Sequence, residues 1–190
     1  MGVKEQMIGI LRNGETRRIR FTFAGTLGDS FSIDHTTFER VATALERDEI
    51  IVSEGRFSDD TAMYSARTNL RTHSAANTFY LGNNPRFSRS FDALIVHESV
   101  HASFDLTRSS LPWVDNEAAA YIAQGFYLRN SGYPRGRIEV GALVTIGYDW
   151  VDDLVNSDGD GDFYLNGLRD QLRIRPMYHD YIEGRFDGNG

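Results

Sequence analysis

Residues 91–104 read FDALIVHESVHASF. Apolar side chains fall on nearly every side of a helix drawn through this stretch, so such a helix has no face to give to water and must lie inside the fold. Other elements must then surround it, and His97, Glu98 and His101 are carried into the interior with it. Buried polar groups of this kind need partners. At 190 residues, with 41% hydrophobic and 12% aromatic content, the chain can build a single core of the required size. It contains no cysteine, which removes disulfides, thiolate metal sites and thiol nucleophiles together.

The pattern around this helix predicts an α+β domain. RRIRFTF (17–23) alternates Ile19, Phe21 and Phe23 on one face, as a strand does, and GTLGDS follows as a turn. Phe38, Val41, Ala42 and Leu45 mark one face of an amphipathic helix with Asp34 as its N-cap. TAMYSAR (61–67) and NTFYLGN (77–83) read as two further strands. A long helix then covers about 88–105, a break with Pro112 follows, and a second helix runs from Asp115 to about Asn130. Residues 137–155 read as helical, and the last thirty as short helices at best. The expectation is one domain over 1–190, sheet-rich to about 87 and helical from 88 onward.

The net charge of −7 argues against a nucleic-acid partner. From Asp149 onward acids outnumber arginines ten to four, which reads as a solvated acidic face. Within it, NSDGDGDFYLNG (156–167) places Asp158, Asp160 and Asp162 at spacings of a calcium loop, but Gly167 stands where a bidentate acid is required, so the match is weak and an ordinary acidic turn is the better reading, with a Ca²⁺ site as the alternative. No stretch approaches a membrane span, and the apolar run Met7–Leu11 is too short for a secretory signal. A soluble chain is expected, either cytoplasmic or exported without a cleavable signal.

His97 and His101 lie one helical turn apart, so both imidazoles leave the same face and can reach one metal ion. Glu98 lies about 100° round the helix, near enough to take a proton from a water at that ion. A catalytic zinc site usually has three protein ligands. Glu117, on the second helix, can supply the third if the two helices pack antiparallel, and Ala118, Ala119 and Ala120 would let their backbones approach. The other reading of Glu117 is a favourable charge near a helix N-terminus. Asp115 is the rival carboxylate, better placed as an N-cap.

HESVH (97–101) followed by NEAAAY (116–121) resembles the gluzincin branch of the zincin metallopeptidases, over about 90–130. The resemblance implies a zincin-like fold: a small antiparallel or mixed sheet, then an active-site helix and a ligand-bearing helix. It implies Zn²⁺ on His97, His101 and Glu117, Glu98 as the general base, and a peptide or protein substrate. Family members carry an aspartate, buttressing a histidine, where this chain has Tyr121; Asp105, one turn after His101, is the alternative second support. Tyr121, Tyr148, His179 and Tyr181 are candidates for stabilising an oxyanion. NTFYLGN would be the edge strand that pairs with substrate. Two rival functions are a metal-stabilised interaction protein without turnover and a toxin-like secreted effector protease.

Overall fold

α1 (Val3–Arg12) and the single turn α2 (Gly14–Arg17) open the chain, where no element was expected. Met7, Ile10 and Leu11 recur at helical spacing and are buried, which makes α1 amphipathic. The computed structural model describes residues 2–57, 61–70, 73–83, 87–139, 141–156 and 162–190. β1 (Phe21–Ala24) and β2 (Ser30–Ile33) form an antiparallel hairpin, with Ile19, Phe21 and Phe23 buried as their alternation predicts. β2 was not expected. The expected Asp34 cap starts α3 (His35–Glu46): its carboxylate accepts from Thr36 N at 2.8 Å, and Thr37 Oγ1 accepts from Asp34 N at 3.2 Å. Phe38, Val41, Ala42 and Leu45 are all fully buried.

β3 (Ile51–Phe57), β4 (Ala62–Ser65) and β5 (Thr78–Gly82) make a mixed sheet in the order β3-β5-β4. β5 pairs parallel with β3 and antiparallel with β4. This corrects the expectation that residues 77–83 form the edge strand. β5 is central, which explains why all five of its residues are buried. The edge strand beside the long helix is β4.

That helix, α4 (Arg89–Leu106), is buried from Ile95 to Asp105 without interruption, as its sequence requires. α1, α3, β4 and α5 (Trp113–Asn130) pack around it. β6 (Ser110–Pro112) lies in the break between α4 and α5. After a 3₁₀ turn at Arg135–Arg137 come α6 (Leu143–Asn156) and α7 (Asp162–Ile174). The 13 residues of α7 correct the reading of the last thirty residues as short helices: Leu165, Leu168 and Leu172 form a buried stripe at spacings of three and four. The chain returns through a second 3₁₀ turn, Pro176–Tyr178, to β7 (Arg185–Asp187), which pairs antiparallel with β6. The class is α+β, with several small sheets, and no described helix is long and apolar enough to cross a membrane.

Small residues set the helix spacings around α5. Ala118, Ala119 and Ala120 are fully buried, and α5 packs against both α4 and α6. At Gly125 and Gly147, α5 and α6 touch backbone to backbone. A methyl at Gly125 would sit 2.6 Å from Gly147 C, and one at Gly147 would fall on Tyr121 O. Gly147→Ala therefore forces the two backbones apart, at about 3 kcal/mol. The gain in helix propensity returns only ~1 kcal/mol. Urea unfolding is expected to show a net loss of about 2 kcal/mol; equal or greater stability would mean that α6 slides on α5 without resistance.

Candidate metal centre

The site is built where α4 and α5 face each other. Ser88 caps α4 through Phe91 N at 3.3 Å. One turn separates His97 and His101, and their Nε2 atoms lie 3.3 Å apart. Glu117, in the second turn of α5, brings Oε2 to 3.6 Å from His97 Nε2 and 3.8 Å from His101 Nε2. A triangle of sides 3.3, 3.6 and 3.8 Å has its corners about 2.1 Å from a common point, the length of a zinc–imidazole or zinc–carboxylate bond. The three donors could hold one small divalent cation lying in their own plane, and a tetrahedral site would need them drawn together by a few tenths of an ångström. Donor atoms of His97, Glu98 and His101 also lie within 4.8 Å of one another, but Glu98 already accepts from Tyr64 N at 2.8 Å through Oε2.

Support for the histidines differs. His101 Nδ1 donates to Asn116 Oδ1 at 2.8 Å, which leaves the Nε2 lone pair directed at the other donors. His97 Nδ1 is buried with no hydrogen-bond partner among the described residues. Its ring instead packs edge-on against Tyr121, 4.5 Å between centroids. Asp105 does not support either histidine: it accepts from Tyr64 Oη at 2.7 Å and Asn189 N at 2.8 Å, and so ties α4 to β4 and to the chain beyond β7. Asn116 precedes Glu117 in the quoted motif, but its role depends on which way α5 turns it toward α4, and the sequence carries no signal for that. The contact of Tyr64 N with Glu98 is equally invisible in sequence, because a backbone donor has no residue signature.

The two buried carboxylates are driven in opposite directions. Burial pushes Glu98 up to about 7, against the opposing influence of His101 and the Tyr64 N–H, while Glu117 adds to the rise. Burial also works to raise Glu117, but His101, His97 and the Tyr181 hydroxyl together hold it below the usual carboxylate range. Asp115 is not an N-cap, because α5 begins at Trp113. It is fully buried and pairs with Arg169 of α7 at 2.8 Å, while accepting from Thr26 N and Oγ1 of the β1–β2 turn at 2.9 and 2.8 Å. It is therefore a bracket between three elements.

Aromatic rings close over the histidines. Trp113 lies 6.4 Å from His101 and 4.9 Å from Tyr181, whose hydroxyl donates to Glu117 Oε1 at 3.2 Å. Tyr121 and Tyr178 share a hydroxyl–hydroxyl contact of 2.5 Å. With this cover His97, Glu98, His101 and Glu117 are each 8% exposed or less. Of the oxyanion candidates, Tyr121 and Tyr181 are brought to the site. Tyr148 turns its hydroxyl to Tyr133 O at 3.4 Å, and His179 points to solvent with its side chain 83% exposed. Asp158 and Asp160 lie outside the described residues, as does the side chain of Asp162, the first residue of α7. No protein-family model, curated protein or solved structure matches this chain.

Proposed function

We propose that this chain is a zinc-dependent peptidase of the zincin type, hydrolysing a peptide bond with Glu98 as general base. The observation that carries the reading is the donor triangle of His97 Nε2, His101 Nε2 and Glu117 Oε2, with a fourth buried group, Glu98, on the same helix as both histidines. Glu98 is not needed to complete that triangle, which leaves it available as a base.

His97, His101 and Glu117 would hold the ion; when bound, it would polarise a scissile carbonyl and acidify a water. Glu98 accepts the proton from that water and passes it to the departing amine. The Tyr64 N–H fixes one oxygen of Glu98, which orients the carboxylate while the other oxygen serves as base. Tyr121, whose ring packs on His97, would be the donor to meet an oxyanion, since the Tyr181 hydroxyl is given to Glu117. A peptide substrate would approach alongside β4, the edge strand beside α4, without use of the Tyr64 N–H, which is given to Glu98.

One observation favours a second reading, a metal-stabilised protein without turnover: the four groups are almost entirely covered. Elemental analysis of protein purified without chelator addresses the premise that both readings share. About one zinc per chain is expected in wild type, with near-complete loss in Glu117→Ala. Wild-type protein that takes up no zinc would sink both readings, and Glu117→Ala with undiminished zinc would remove Glu117 from the ligand set.

A further inference from the structure

We propose that the Tyr181 hydroxyl holds Glu117 as a one-oxygen ligand, so that the segment after α7 is a working part of the metal site; this rests on the metal-site reading above. The two oxygens of Glu117 keep different company. Oε2 faces both histidine donors, at 3.6 and 3.8 Å. Oε1 accepts from Tyr181 Oη at 3.2 Å. A carboxylate free to turn can chelate an ion with both oxygens and so fill the position a water needs. A hydroxyl fixed at Oε1 opposes that turn, because chelation would require the hydrogen bond to be given up inside a buried site.

Tyr181 can do this only if its own position is firm, and the segment that carries it is anchored on both sides. Its ring packs edge-on against Trp113, at the start of α5, and Phe186 packs against the same indole at 4.9 Å. Trp113 N donates to Gly184 O at 3.0 Å and Gly188 N to Ser109 O at 2.9 Å, on either side of the β6–β7 pairing. Asn189 N reaches Asp105 on α4. Gly188 lies so close to α4 that a methyl there would sit 2.7 Å from Phe104 O. Tyr181 is thereby held against α5 by contacts to both helices of the site.

The test compares wild type, Tyr181→Phe and Tyr178→Phe, each loaded with Co²⁺ or Zn²⁺. Phenylalanine keeps the ring against Trp113 and removes only the donor. Tyr181→Phe is expected to bind Zn²⁺ about tenfold more weakly. Its Co²⁺ visible absorption is expected to weaken, the signature of a fifth ligand atom as Glu117 turns to chelate. Tyr178→Phe, whose hydroxyl contacts Tyr121 and not Glu117, is expected to match wild type in both. An unchanged spectrum and affinity in Tyr181→Phe overturns the proposal, and so does an equal change in Tyr178→Phe, which would assign the effect to general loosening of the aromatic cover. X-ray absorption on zinc-loaded wild type is independent of any variant: a carboxylate bound through both oxygens overturns the proposal. Wild type that binds neither ion overturns the metal site itself, an outcome distinct from failure of the Tyr181 role alone.

Discussion

Glu98→Gln is expected to retain about one zinc per chain and to lose peptide hydrolysis by about 1,000-fold, equivalent to roughly 4 kcal/mol of barrier. The separation of these two effects follows from position. Glu98 is not one of the three donors that enclose a common point, so its replacement leaves the ligand triangle intact. Glutamine has the same shape, and its side-chain carbonyl can still accept from Tyr64 N, which preserves the link between α4 and β4. What it cannot do is accept a proton. The measurement is kcat/KM on a mixed library of fluorogenic peptides, beside zinc content and the melting temperature. Equal hydrolysis in variant and wild type would remove Glu98 as the base. Zinc-loaded wild type with no hydrolysis of any peptide would favour the reading without turnover, to which the nearly complete burial of the site already points.

The second large effect lies beside the site. Asp115→Ala is expected to destabilise the chain by about 4 kcal/mol, because it strands the Arg169 guanidinium in the interior without its counter-charge. The carboxylate is fully buried and Arg169 nearly so. All of Asp115's contacts bridge elements far apart in sequence: Arg169 on α7, and Thr26 in the β1–β2 turn. Arg169 adds a hydrogen bond to Ala24 O at 2.5 Å, so the hairpin and α7 are both joined to the first turn of α5. Glu117 is two residues further along that helix. For a chain of this size the melting temperature should fall by about 10 °C, and zinc affinity should fall with it as α5 loosens. The double variant Asp115→Leu, Arg169→Met removes both charges and should recover part of the loss, because Thr26 and Ala24 still lose their partners. If Asp115→Ala alone melts within a degree or two of wild type, the pair is not a bracket and Glu117 is positioned by helix packing only.

Much of this was legible in the sequence, for a local reason. The buried character of α4, the shared face of His97 and His101, the Asp34 cap and the alternation of Ile19, Phe21 and Phe23 are each set by helical or strand periodicity within a few residues. α1 and α7 carry the same kind of signal, in Met7, Ile10 and Leu11 and in Leu165, Leu168 and Leu172, but the first run is short and the second follows an acidic stretch. The edge strand was misplaced for a different reason. β5 looks like any apolar strand, and only its pairing with both β3 and β4 puts it in the centre.

What the sequence by itself determined is the set of groups that must be buried together on two helices. Which atoms meet was decided by tertiary structure. Asp105, one turn from His101, goes to Tyr64 and Asn189, while Asn116, 15 positions away, takes the His101 ring nitrogen. Asp115 turns from a helix cap into the partner of an arginine 54 positions on, and Tyr181 reaches Glu117 across 64. Periodicity gives the direction of a side chain from its own helix, but a contact also needs the distance and rotation of the helix opposite. Those are set here by the alanines of α5, the Gly125–Gly147 crossing and the strand that returns to β6, features whose meaning exists only once the chain has closed on itself.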